Sequence, residues 1–149
     1  MTQTDDKRSM REGMLAGDLY IADDPQLIEE MQRAASLAQR FNRSDPAQPE
    51  ARRALLRALL GSLGEGAEIR PPLQCDYGYQ IHVGARTFIN YGAVMLDVAE
   101  IRIGEDVQIG PNVQFLTPTH QVEPEPRRCP SSTPWVCHCG RPCPSSWTS

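Results

Sequence analysis

The chain carries three histidines, and their settings differ. His120 ends the string Thr117-Pro118-Thr119-His120. Imidazole changes charge near neutral pH, so a loop histidine can act as a general base, and on its own terms it can equally be a plain surface side chain. His82 falls within a strand-like stretch and reads as structural. Asp76, Asn90 and Asp97 are short polar side chains able to form directional hydrogen bonds. Asn90 also fits a turn residue that tolerates left-handed backbone. Tyr77 and Tyr79 are suited either to stacking on a ligand ring or to packing beneath helices. The string Cys137-His138-Cys139 followed by Cys143 invites a zinc reading, but it lacks the separated ligand pairs of common zinc modules, so no metal is assigned.

What must position these groups is a repeat. Val83-Gly84, Ile89-Asn90 and Met95-Leu96 recur every six residues, as do Ile103-Gly104, Ile109-Gly110 and Phe115-Leu116. Further aliphatics, Ile81, Ile101, Val107 and Val113, precede several of these by two positions. A two-residue insertion near 97–102 separates the two registers. Each hexad supplies a flat strand and a tight turn, and three of them close a triangular coil of about eighteen residues with the aliphatics stacked inside. Six hexads make about two coils, and the glycines, with Asn or Asp beside them, are expected to take left-handed turn conformations. The rival reading is an antiparallel meander in which Gly-Ala-Arg and Gly-Glu-Asp are simple turns.

Ahead of the repeat the texture is helical. Asp23 and Asp24 before Pro25 mark a helix start. Leu27, Met31, Ala34, Leu37 and Ala38 give that helix an apolar face, and Phe41-Asn42 closes it. A second helix carries Ala51, Leu55, Ala58 and Leu59 on one face and is stopped by Gly61 and Gly64. Two short helices bury little alone, so they are expected to pack on something else.

Composition narrows the classes. The 149 residues have a net charge of −4, 40% hydrophobic and 23% charged residues, which suits a globular protein and argues against nonspecific nucleic-acid binding. The apolar runs are too short to span a bilayer, so no membrane partner is expected, and the charged N-terminus is not a signal peptide. A cytoplasmic protein follows. Residues 129–149 contradict everything before them: they hold four Cys, four Pro, five Ser and both tryptophans, with Val136 as the sole aliphatic residue. A reading-frame shift would produce such a change, and a natural disordered tail is the alternative.

Several unusual strings fall in one order: Met14-Leu15-Ala16-Gly17-Asp18-Leu19-Tyr20, Arg40-Phe41-Asn42, Cys75-Asp76-Tyr77-Gly78-Tyr79-Gln80-Ile81, Phe88-Ile89-Asn90, Met95-Leu96-Asp97-Val98 and Thr117-Pro118-Thr119-His120. Over about residues 10–128 the chain resembles the maltose and galactoside O-acetyltransferases and the nodulation acetyltransferases. The resemblance implies a mainly β fold: a left-handed parallel β-helix (65–128) preceded by a helical maltose-acetyltransferase segment (10–64), with an irregular tail (129–149). It implies a homotrimer with active sites between neighbouring subunits, and acetyl transfer from acetyl-CoA to a sugar hydroxyl. By the same resemblance His120 is the catalytic base, although Gln121 stands where relatives usually have proline. Asp97, Asn90 and Asp76 are acceptor-side contacts. No acetyl-CoA contacts are assigned, because the hexads stop before the coils that supply most of that pocket in complete relatives. The chain is therefore expected to be C-terminally truncated or frame-shifted and impaired as an enzyme. The alternative is a non-catalytic sugar-binding or interaction protein on the same scaffold.

Overall fold

A computed structural model describes residues 8–18 and 20–118, together with the backbone of 136–137. Its elements are α1 (Met10–Ala16), β1 (Tyr20–Ile21), α2 (Pro25–Asn42), α3 (Pro49–Leu59), β2 (Ser62–Leu63), β3 (Glu68–Ile69), β4 (Leu73–Cys75), β5 (Ile81–Val83), β6 (Phe88–Ile89), β7 (Ala93–Leu96), β8 (Ile101–Ile103), β9 (Gln108–Ile109), β10 (Gln114–Leu116) and β11 (Val136–Cys137). The chain divides into two compact units, one formed by Met1–Ile28 with Pro118–Ser149 and the other by Glu29–Thr117.

In the first unit, α1 opens with a capping box. The Ser9 hydroxyl accepts from the Glu12 amide while Glu12 accepts from the Ser9 amide. Gly17, at φ 76°, closes the helix in the left-handed conformation that its missing Cβ allows. β1 pairs antiparallel with β11, Tyr20 opposite Cys137. The start expected for α2 is present: the Asp24 carboxylate accepts from the Gln26 amide at 3.0 Å, with Pro25 as the first helical residue.

The second unit is a parallel β-helix with helices packed on it. Nine strands form three three-stranded sheets, β2–β5–β8, β3–β6–β9 and β4–β7–β10, and every pairing among them is parallel. The antiparallel meander is thereby excluded. Ser62 pairs with His82 and His82 with Arg102, a step of 20 residues rather than eighteen. Each sheet has three strands where two coils were expected. The additional circuit is Leu63-Gly64, Ile69-Arg70 and Cys75-Asp76, in which a thiol takes the aliphatic place at its third step. The coil thus begins at Ser62, inside the stretch read as helix stop.

Inside, the columns Leu63/Val83/Ile103, Ile69/Ile89/Ile109 and Cys75/Met95/Phe115 stack in register, with Ile81, Ile89, Ala93 and Met95 completely buried. This apolar stack is the main source of cohesion, because short strands with two or three ladder bonds each have little else.

The glycines work differently from the expectation. Left-handed backbone is found at Gly66, Arg86 and Asp106, which stack at one corner, and at Gly92 and Asn112; Asn90 is not among them. Gly84 is needed for space, since a Cβ there would lie 2.4 Å from the Gly104 backbone. The helical faces also shift. Met31, Ala51 and Ala58 are exposed, and the residues that reach the core are Ala34, Ala38, Phe41, Leu56, Leu59 and Leu60. Asn42 docks α2 on the coil with two bonds: its amide nitrogen donates to the Leu73 carbonyl at 3.0 Å and its oxygen accepts from the Leu73 amide at 2.8 Å.

Candidate active site

The two extra residues per circuit collect at one corner. The chain needs eight residues rather than six to pass from Cys75 to Val83 and from Met95 to Ile103, and the surplus forms the stacked corners 76–80 and 97–100. Two of the chemistry-bearing strings, those of Asp76 and of Asp97, meet here, whereas Asn90 lies at the end of β6, at another step of the circuit.

Asp97 is the hub. It is 0% exposed. One carboxylate oxygen accepts from the amides of Asp76 at 3.1 Å and Tyr77 at 2.9 Å, and the other accepts from the Gln80 amide at 3.2 Å. Gln80 returns the contact: its side-chain nitrogen donates to the carbonyls of Asp97 at 3.1 Å and Val98 at 2.6 Å. Both oxygens are engaged by the neighbouring corner, so Asp97 positions the backbone of Asp76 and Tyr77. Gly78, at φ 78°, completes that corner where a Cβ would meet the Leu59 carbonyl at 2.5 Å.

Asp76 is half-buried and remains available to a ligand. Burial, and then the charge of Asp97, push its carboxyl up to about 6. Asp97 itself is raised by burial, against the backbone N–H groups that pull it down. Cys75, partly buried against the core beside both acids, is pushed up to about 12 by burial, then by Asp97 and Asp76, so it stays a protonated thiol. Asn90 is half-buried on the outer side of β6's end, and its side-chain oxygen accepts from the Tyr91 amide at 2.9 Å. That leaves its amide hydrogens to offer. Tyr77 is buried and stands 5.6 Å from the Tyr79 ring centroid, tilted by 45°, so its share is packing.

Two further residues escaped the sequence reading. Gln80 is one. Thr117 is the other: its hydroxyl donates to the Leu96 carbonyl at 2.7 Å and accepts from the Ala99 amide at 2.8 Å, bracketing Asp97 and Val98. Stacking the chain at 20-residue intervals would have found both, because it lays Gln80 over Glu100 and Thr117 beside 97. His120 lies outside the described residues, as do the side chains of Cys137, Cys139 and Cys143.

The maltose acetyltransferase hexapeptide capping motif matches residues 14–64. A hexapeptide-repeat acetyltransferase of Vibrio cholerae, solved in complex with acetyl-CoA, superposes with a TM-score of 0.76 at 35% identity, over 89% of this chain and 68% of that one. The chain belongs to the maltose/galactoside-type hexapeptide-repeat acetyltransferases. A maltose O-acetyltransferase of Clostridium difficile gives a TM-score of 0.77 at 38% identity, covering 78% of this chain and 63% of its own. Nodulation protein L of Rhizobium leguminosarum is 44% identical over 121 residues, 81% of this chain and 64% of that protein. The chain thus spans just under two thirds of such curated relatives. Within this family the capping segment corresponds to α1 through α3, and the hexapeptide repeat to the stacked circuits. Among the described residues no helix is long and apolar enough to cross a membrane.

Proposed function

We propose that this chain carries the acceptor side of an acetyl-CoA-dependent sugar O-acetyltransferase, wound as a left-handed β-helix and assembled as a homotrimer in the cytoplasm, without a metal. The observation that carries the reading is the Asp97 corner. It holds Asp76 at the surface and is clamped by Thr117, three residues before His120, in a chain of acetyltransferase family. Residues 10–64 act as the capping segment and 65–128 as the transferase coil, with 129–149 a tail of other origin.

In this reading acetyl-CoA is the donor co-substrate and supplies the acetyl thioester. His120 takes the proton of the sugar hydroxyl as that oxygen attacks the acetyl carbonyl, and the thiol of coenzyme A leaves. Asn90 and Asp76 orient the acceptor. Much of the rate would come from holding both substrates together, since no acyl-enzyme is required. Asp76 near its titration midpoint at about 6 serves as acceptor or donor to a sugar hydroxyl according to pH.

The test is acetylation of maltose, glucose and a galactoside by the purified chain, with sugar binding measured in parallel. We expect transfer to at least one of these sugars, abolished by His120→Ala with binding retained. Transfer that survives His120→Ala overturns the base assignment, and sugar binding with no transfer under any condition favours a binding module.

A further inference from the structure

The outer face of sheet β2–β5–β8 carries a second constellation, made by residues in lateral register on successive circuits. The Ser62 hydroxyl lies 3.0 Å from His82 Nδ1. On the other side of the ring, His82 Nε2 lies 3.3 Å from Glu100 Oε1. Glu100 is in turn gripped by Arg102, whose Nε donates at 2.8 Å and whose terminal nitrogen donates at 2.6 Å. Ser62, His82 and Arg102 lie on β2, β5 and β8, and Glu100 is the last residue of the corner 97–100.

Glu100 stands at ion-pair distance from Nε2. A carboxylate only accepts, so the neutral tautomer that uses this contact carries its proton on Nε2 and leaves the Nδ1 lone pair for the Ser62 hydroxyl. This is a nucleophile within reach of a base, with the base oriented by a third group. The ring nitrogens are used in the opposite sense to the serine-protease arrangement, which leaves the proton bookkeeping unchanged. Ser62 is exposed and His82 is 26% exposed, so the hydroxyl is open to reagents while the ring is held.

We propose that Ser62, His82 and Glu100 form a nucleophilic triad that accepts acyl groups from small activated esters. Ser62 Oγ attacks the acyl carbonyl carbon. The Oγ–C bond forms as the hydroxyl proton passes to His82 Nδ1. The ester C–O bond breaks, and the leaving oxide takes up that proton. Water then attacks the acetyl carbon and passes a proton to His82 Nδ1, which hands it to Ser62 Oγ as the acyl C–O bond breaks, giving free serine and acetic acid, which ionises to acetate. No oxidant or further reactant is involved. The triad lies on an open face rather than in a cleft, which restricts it to substrates with good leaving groups.

The experiment treats the full chain with p-nitrophenyl acetate, following nitrophenolate release and locating the acetyl group by peptide mass spectrometry. A His120→Ala background keeps the family site out of the result. We expect acetyl-Ser62, absent in Ser62→Ala and in His82→Ala, and formed at least about tenfold more slowly in Glu100→Gln. Ser62→Ala changes one exposed side chain, and Glu100→Gln keeps the shape of the third group, so both are informative even if His82→Ala unfolds. An unacetylated Ser62, or acetylation at the same rate in Glu100→Gln, overturns the proposal and leaves the three residues as a ladder that ties successive circuits together.

Discussion

Asp97 is the side chain whose removal has the clearest consequence. Three backbone amides from a corner 17 to 21 residues earlier in the chain end on its two oxygens. Asp97→Ala leaves these donors without their acceptor in a buried place, and each such loss costs about 1–3 kcal/mol. We expect a loss of about 3 kcal/mol or more in denaturant unfolding. Asp97→Asn keeps one oxygen but turns an N–H toward the amides, and should cost about 1–2 kcal/mol. A variant no less stable than wild type would show that the corner is held some other way. Asp76 gives a prediction with a definite sign. Its folded pKa, about 6, stands above its ordinary value of 3.8. The stability tied to its protonated form is fully present below pH 3.8 and lost as pH rises through 6. Asp76→Asn should therefore match wild type near pH 4 and gain on it between pH 4 and 7. With the group partly exposed and screened, the gain should reach about 1 kcal/mol. Thermal melts across that range check this, and a gap that stays constant with pH refutes it. Asp97 was legible as an important acid, but its bonds to the preceding corner were not. The partners of its carboxylate are main-chain amides a circuit away, and amides leave no mark in a sequence.

At the scale of the element, the coil depends on close approach between circuits. Gly84 sits where a Cβ would be 2.4 Å from the carbonyl group of Gly104, and backbone on both sides leaves nothing flexible to yield. Gly84→Ala should destabilise by about 3 kcal/mol, the upper range for overpacking, whereas Gly110→Ala, with nothing within 4 Å, should be nearly neutral. Equal effects in chemical denaturation would refute the steric account. The α2–coil junction rests on Asn42, whose replacement by alanine strands the Leu73 amide and carbonyl. We expect about 2 kcal/mol and faster hydrogen exchange at β4. These elements show what the sequence could reveal. Aliphatic steps at six residues were enough to find the second and third circuits. The first was hidden because Cys75 stands where an aliphatic was sought and because Leu63-Gly64 also makes a credible helix stop. The helical faces were half legible: the 3.6-residue period marked Ala34 and Ala38, but which apolar residues turn inward depends on where the coil lies, so Met31 and Ala58 were misplaced.

At the scale of the whole molecule, the proposed homotrimer has a competitor that differs from it in kind. A homotrimer about a threefold axis closes on itself and saturates at three copies. Among the described residues, the three strands β8, β9 and β10 each lie last in their sheet, with partly buried Ile103, Val107, Val113 and Phe115 beside them and Leu116 59% exposed. Edge strands of this kind offer ladder groups and apolar surface together, which favours contact without closure. The net charge of −4 is too small to prevent it. Sedimentation velocity over a hundredfold range of concentration separates the modes. We expect a trimer that persists on dilution, together with larger species that grow with concentration. Leu116→Lys places a charge on the last strand and should remove the larger species while sparing the trimer. If the larger species persist in that variant, the coil edge is not their origin. If the trimer vanishes with them, the strand belongs to the closed interface, and the two modes are one.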